Sequence, residues 1–557
     1  MSRLTLPKIS LIVFCFLCAG TMAFAGGAGQ QQQPGAAAGI KPTLEIGLSS
    51  NPFVIDYDTN YLTFYLEKMH NVNLQFYLLP ADGMESRTKV ALLVASNSLP
   101  ETILGNFNTR EQILEYGSNG AFISLNDYFS NPAKTPYFNQ IPQTDREQML
   151  KDTQSADGNN YSFAQFSPET WDLTPFRLYI NRDWLSKLGL PEPKTTDDLR
   201  NDLIAFRDND PNGNGKKDEI GVYGWFNGGY GQNVINALIN SFIFYNGNQL
   251  ALDTTGNNVI APFIQPGFRK ALQYLNVLFK DGTLDASTFT NDNQTFRATL
   301  NETPMVVGFT SMGSSGNFVG NPQIDDNPNY MAMAPILAPL SSPDCPGYTP
   351  YQDYVSLQIA FVTNNCKNPD LAVKVLDSFY DQTITLISRF GEENVDWTRD
   401  PAILATDTNA YVNMGLYPQL TLTQINQIWF GPANKHWQSV TPRYFPLDLT
   451  NTFGDLTNPL DPSRPTSMEK AVNYQELANR HPQYILPQLQ YNAADGATLA
   501  GPITDVNNFV KQSIAEFTIG TRDINNDAAW NSYLQQLNSM GLDKWLSIAQ
   551  ATYNRQR

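Results

Sequence analysis

From Lys41 onward the chain alternates two kinds of hydrophobic spacing, and few folds accept that order. Leu44, Ile46 and Leu48 recur at every second residue, as on a strand with one buried face. Tyr61 to Met69 reads as a helix, and Val72, Leu74, Phe76 and Leu78 alternate again. Glu85 to Ala95 is helical and Thr102 to Leu104 is a short strand. Strand, helix, strand, helix, strand predicts a parallel sheet with right-handed crossovers. Such sheets bind ligands beyond the carboxyl ends of their strands, which singles out Ser49 to Asn51 and Asn106 to Thr109 as cleft loops.

A second informative stretch runs from Phe176 to Gly221. Phe176 to Ile180 reads as a strand, and Trp184, Leu185 and Leu188 begin a helix that Gly189 and Pro191 end. Thr195 and Asp198 form a capping-box start, after which Leu199, Leu203 and Phe206 share one apolar face. The loop that follows is built from side-chain oxygens. Ca²⁺ takes six to eight hard oxygens and needs a glycine where the chain turns around it. Two registers satisfy this: one starts at Asp208 with Asp210, Asn212, Gly213 and Glu219, the other at Asp210 with Asn212, Asn214, Gly215, the Lys216 carbonyl, Asp218 and Glu219. A solvated Asp-Pro-Asn-Gly turn without metal is the plainer alternative. All the ligands are protein oxygens, so the expected role is a structural clip and not catalysis.

The run YINRDWLSKLGLPEPKTTDDL followed by DPNGNGKKDEIGVYGW resembles the extracellular solute-binding proteins of ABC sugar importers, especially the subgroup that includes alginate-binding proteins. The resemblance continues in SNSLPETILG, in NNCKNPDLAVKVLDSFYD and RFGEENVDW, and in the final FTIGTRDINNDAAWNSYLQQLNSMGLDKWLSIAQATYNR. It implies an α/β, two-lobed periplasmic-binding-protein fold of type II, with parallel-core sheets flanked by helices and a ligand cleft between the lobes. It also implies the second calcium register, Asp210, Asn212, Asn214, Lys216, Asp218 and Glu219, with Asp208 left as a bystander. The organisation expected on that basis is lobe 1 over 41–165, lobe 2 over 166–340 with its calcium loop at 208–219, and a return to lobe 1 over 341–557. The C-terminal helices are expected to pack across both lobes. Tyr161 to Thr174 marks the first passage between lobes, and Tyr354 to Thr363 the returning strand.

Residues 1–25 have the build of a signal peptide: Arg3 and Lys8, an apolar run from Ile9 to Ala19, then Ala23-Phe24-Ala25. The apolar run is short for a membrane span, which takes about 20 residues. Cleavage is expected after Ala25, giving a periplasmic or secreted protein. Cys15 and Cys18 lie inside the apolar run, which argues against lipid attachment. Residues 26–40, GGAGQQQQPGAAAG and Ile40, are too polar and glycine-rich to bury a core and read as a disordered leader. The formal charge of −17 becomes −19 once Arg3 and Lys8 are removed. That argues against a nucleic-acid or anionic-membrane partner, both of which need a positive face. Cys345 and Cys366, the cysteines outside the leader, are placed to form a disulfide worth about 3 kcal/mol by chain entropy, or else remain two thiols.

A sugar offers hydroxyls and weakly apolar C–H faces, so its site needs aromatic rings and amide or carboxylate side chains. Trp171, Trp225 and Trp397 sit in turn-rich segments and are candidate cleft aromatics, with Tyr161, Tyr230, Phe309 and Trp429 beside them. Phe309 stands where sugar-binding members of the family resembled often place tryptophan. Trp184 and Trp545 lie in helical patterns and are read as core. The expected function is capture of an oligosaccharide by hinge closure and delivery, as a monomer, to an ABC permease. A glycoside hydrolase and a peptide- or other solute-binding protein are the alternatives. Catalytic motifs are missing: His70, His436 and His481 are far apart, and no P-loop, G-x-S-x-G or H-E-x-x-H occurs.

Overall fold

The computed structural model describes residues 41–105, 108–168, 173–247, 249–313, 332–336, 338–351, 354–398, 421–422, 432–445 and 477–557. The expected signal peptide and leader, Trp171 and Trp429 lie outside them.

Two larger sheets are built from ten strands. In chain order these are Thr43–Ser49 (β1), Asn73–Leu79 (β2), Thr102–Leu104 (β3), Ser162–Phe166 (β4), Arg177–Asn181 (β5), Ile220–Val222 (β6), Val307–Met312 (β7), Met333–Pro335 (β8), Leu357–Val362 (β9) and Arg443–Tyr444 (β10). The first sheet has the order β10-β4-β9-β3-β1-β2, and the second β8-β5-β7-β6. β1 pairs in parallel with β2, Thr43 opposite Asn73 through Ser49 opposite Leu79, and in parallel with β3. The alternation read in the sequence thus gives the predicted parallel unit. β9 departs from it by pairing antiparallel with both β3 and β4. In the second sheet β5 is antiparallel to both its neighbours, and only β6 and β7 run in parallel.

The helices between strands start and stop on local chemistry. Tyr61–His70 (α1) opens with the Asn60 side chain accepting from Leu62 N and ends at Asn71 in the left-handed region. Asp82 does the same for Gly83–Ala95 (α2), and a Thr109–Gln112 capping box starts Arg110–Ser118 (α3). The predicted Thr195–Asp198 box starts Thr196–Asn209 (α4). Leu199, Leu203 and Phe206 on α4 are wholly buried, each contributing about 2 kcal/mol of apolar burial. They pack with Trp184, Phe309 and Pro266–Lys280 (α5) into the core of the second sheet. Trp545 joins the same core, as its helical pattern predicts. A second core lies under the first sheet and includes Leu44, Leu48, Phe163, Phe379 and Trp437. Ala493–Ile519 (α6) packs along α5 and also against α3, where Gly496 sits over Glu111.

Cys345 and Cys366 are not bonded to each other; of the two alternatives, a disulfide or two thiols, the structure has two thiols. Cys345 lies near the Asn240 carbonyl, on the side of the second sheet. The chain then enters the first sheet and runs extended through β9, about 3.3 Å per residue, which carries Cys366 to that sheet's far edge. Closeness in sequence is undone by a strand.

One core acid stands out. Asp202 on α4 is only 4% exposed, and its Oδ2 is sealed without a hydrogen-bond partner. Burial, then the charge of Asp198, pushes its carboxyl up to about 7. The folded chain therefore holds a proton that the unfolded chain loses near pH 4, and folding becomes less favourable as pH rises from 4 to 7. Asp202→Asn should leave the melting temperature at pH 4 unchanged and raise stability at pH 8 by on the order of 2 kcal/mol. Thermal unfolding across pH checks this; Asp377, pushed up to about 6 by burial, acts in the same sense and remains in the variant.

Candidate functional site

Strand direction decides where a ligand can sit. Because β9 opposes both β3 and β4, strands β1, β2, β3 and β4 all point the same way. Ser49, Leu79, Leu104 and Phe166 therefore end on one edge of the first sheet, and β9 begins there at Leu357. In the second sheet β6, β7 and β8 share a direction opposite to β5. Val222, Met312 and Pro335 end on one edge, and β5 starts there at Arg177. The connections 167–176 and 336–356 join these two edges. They are tied together where they meet the first sheet: Tyr354 Oη donates to Gln165 O at 3.1 Å and accepts from Ser167 N at 2.6 Å, its ring edge-on to Phe166.

The edge of the second sheet carries a knot of close backbone contacts. The Gly313 N–H donates to Tyr230 O at 2.9 Å, and the Tyr230 ring lies so close over Gly313 that a Cβ there has no room. Gly231, at φ +76°, is packed equally tightly against Pro175 O and the Met312–Gly313 peptide. Arg177, wholly buried, donates through Nη1 to Gly313 O. Tyr230 is thereby held with 39% of its surface exposed. Trp225, half-buried, comes from the same loop, its carbonyl accepting from Gly228 N and its N–H donating to Gln232 O. Of the described aromatics singled out in the sequence, these two have surface to offer.

The other described candidates are interior. Phe309 has no exposed surface because alternation along β7 turns it toward α4 and the core. Tyr161 is 4% exposed, its ring on Gly117 and its hydroxyl donating to Asp157 Oδ2 at 2.7 Å. Trp397 is wholly buried, with Nε1 donating to Gly391 O at 2.9 Å. Arg177 was not singled out by the sequence; an arginine opening an aromatic, β-branched strand was the signal available. The edge of the first sheet is polar. Arg110 donates to Asp152 O, and Asp152 accepts from Ser356 N and Gln148 Nε2, both at 2.7 Å.

The oxygen-rich loop after α4 forms a compact turn. Asp210, at φ +47°, accepts through Oδ1 from Gly213 N and Asn214 N and through Oδ2 from Gly215 N. Asp218 accepts from the side-chain amides of Asn212 and Asn214, which hold its carboxyl below the usual range. Asp208 is paired with Arg207 at 2.8 Å. As the loop stands, no three acidic, histidine or cysteine side chains converge on one point among the described residues. The donor chemistry nevertheless fits a hard cation at one position. Glu219 is 9% exposed, and both of its carboxylate oxygens are sealed without a hydrogen-bond donor in good geometry. Burial, then the charges of Asp210 and Asp218, pushes its carboxyl up. An ion accepting those oxygens would remove that destabilisation.

No protein-family model matches the chain. The fructooligosaccharide ABC transporter substrate-binding protein FusA of Streptococcus pneumoniae is 25% identical over 92% of this chain and 90% of its own length. The lipoprotein LipO of Bacillus subtilis is 32% identical over 134 residues, 24% of each chain. Among solved structures, FusA in complex with kestose superposes with a TM-score of 0.74 at 21% identity, covering 92% of this chain and 99% of FusA. A further FusA structure is of an EF-hand mutant. The alginate-binding protein AlgQ2 without calcium ion superposes at 0.69 and 19% identity, covering 92% and 98%. Along nearly its whole length the chain is therefore similar in sequence and in fold to the two-lobed substrate-binding proteins of ABC transporters, the family its motifs resemble.

Proposed function

We propose that this chain is the substrate-binding component of an ABC importer, holding an oligosaccharide between its two sheets and presenting it to a membrane permease. The observation that carries this is the joining of both carboxyl edges by the two connections 167–176 and 336–356, with Trp225 and Tyr230 offering ring surface at one edge and amide- and hydroxyl-rich loops at the other. A ligand between the edges touches both halves at once. Closure is then favoured by contacts the open form lacks, and transport needs nothing further from this chain.

The organisation that goes with this reading is lobe 1 over 41–165, lobe 2 over 166–340, and a return through β9 with the C-terminal helices braced across both. Export with cleavage after Ala25 places the protein outside the cytoplasmic membrane, acting as a monomer. Calcium in the loop Asp210–Glu219 clips α4 to β6, with Asp210, Asn212, Asn214, the Lys216 carbonyl, Asp218 and Glu219 as ligands. The sealed Glu219 oxygens support that role.

Thermal-shift and calorimetric titration of the mature chain should show stabilisation by one class of oligosaccharide, tested with kestose, uronic oligosaccharides and control peptides. At a hundred times the dissociation constant the gain is about 2.7 kcal/mol, and the sugar is recovered uncut. Release of shortened sugar, or stabilisation by peptide alone, would overturn the reading. For the loop, chelation should lower the melting temperature, and calcium should restore it. Glu219→Gln separates the two states: it should raise the melting temperature of chelated protein, where the buried charge is a burden, and abolish the calcium response. Identical melting with calcium and with chelator would show the loop to be a turn.

A further inference from the structure

The outer face of α1 is apolar where a surface helix is normally charged. Its inner face is ordinary, with Leu62, Thr63, Leu66 and His70 buried and the two leucines in the core under the first sheet. The outer positions, at i, i+3, i+4, i+7 and i+8, hold Tyr61, Phe64, Tyr65, Lys68 and Met69, of which only Lys68 is charged. Phe64 is 53% and Met69 41% exposed, and Ile55, on the loop leading into the helix, is 66% exposed. At the same places α4 exposes Asp197, Asn201 and Asp208. Phe and Tyr are poorer helix formers than Lys or Glu, and an apolar stripe left in water marks a surface made to be covered. The rim of this stripe is acidic. The Tyr61 and Tyr65 rings lie 6.2 Å apart. Burial, then Glu392, Tyr65, Asp396 and Glu393, pushes the Tyr61 hydroxyl up, and burial, then Asp381 and Glu393, does the same to Tyr65. Lys435 stands 5.5 Å from the Tyr61 ring but is held by Glu392 at 2.8 Å, with Asp396 at 3.7 Å. Since α1 starts after the loop that leaves β1 at its carboxyl end, the stripe begins beside the cleft.

We propose that Tyr61, Phe64, Tyr65 and Met69 form the docking surface for the importer's membrane permease, which meets them with apolar side chains ringed by Lys or Arg. This assignment rests on the proposed importer function and names the face its partner covers. Charge selects the occupant. A second copy of the chain would set Glu392, Glu393 and Asp381 against themselves, and an anionic lipid surface would meet the same repulsion. A basic rim is drawn to these acids, while the aromatic side chains supply the contacts that hold it, as aromatic anchors do at the centre of protein interfaces. The place suits the traffic, because a partner seated on α1 stands beside the cleft from which the sugar must leave.

The test is uptake of kestose and of uronic oligosaccharides by cells whose only copy of the chain is wild type or a full-length variant, with calorimetry and melting of each purified mature protein. Phe64→Glu and Met69→Glu should lower uptake about tenfold or more, with sugar affinity and melting temperature unchanged. Leu92→Glu, at a similarly exposed apolar position on α2, which packs on the other face of the sheet, should leave uptake as it was. Lys68→Glu, which adds an acid to the rim, should not lower it. A photo-crosslinking residue in place of Phe64 should capture a permease subunit in intact cells. Unchanged uptake with Phe64→Glu, equal loss with Leu92→Glu, or loss with Lys68→Glu would overturn the inference and leave the binding function standing. So would a lowered melting temperature of Phe64→Glu, which would show the stripe covered by the chain itself, or crosslinking to a second copy or to any protein but a permease. Wild type that supports uptake of no sugar in the panel would overturn the importer function, and this surface with it.

Discussion

The strand Leu357–Val362 is what the rest of the architecture depends on. It pairs antiparallel with Thr102–Leu104 on one side and Ser162–Phe166 on the other, so it joins the parallel unit β3-β1-β2 to the pair β4-β10. Its reversed direction has a further effect. A strand running the same way would force the chain to enter from the amino edge; this one begins at the carboxyl edge, beside the point where Phe166 leaves the sheet. Both connections between the halves are thereby brought to one place, and Tyr354 locks them there through Gln165 O and Ser167 N.

That arrangement explains why binding surface collects where it does. Loops at the carboxyl edges need not pair with sheet, so their side chains are available for a ligand. The backbone beneath them is fixed closely. Tyr230 is supported by Gly313, and Gly313 is held by the buried Arg177, so the half-exposed ring rests on packed main chain and not on a mobile tip. On the facing sheet, polar groups are mostly satisfied among themselves, as with Arg110, Asp152 and Ser356.

Away from the cleft, the chain tolerates buried acids that burden the folded state. Asp202 and Glu219 lie at the middle of α4 and just beyond the loop that follows it, one in the core and one under a turn of carboxylates. Asp377, whose carboxyl burial also raises, is relieved in part because its oxygens accept from Tyr137 N and Phe138 N, bonds that tie a short helical turn to the first core. Whether a buried carboxylate stabilises or strains the fold depends on donors brought from elsewhere in the chain.

The sequence by itself determined what is settled within a few residues. Capping boxes at Thr109 and Thr195, the apolar face Leu199–Leu203–Phe206, the parallel β-α-β order and the Asx-rich turn at Asp210 all follow from spacing and side-chain chemistry. The family was legible in another way, through the resemblance of runs such as DPNGNGKKDEIGVYGW to its members. The tertiary structure decided which face each strand turns inward and what meets it there. Phe309 and Trp397 have the chemistry of cleft aromatics and are core; Arg177 has the chemistry of surface and is buried; Cys345 and Cys366 are near in sequence and are parted by a strand. The reason is that exposure is set by partners hundreds of residues away, across sheets whose order no local pattern encodes.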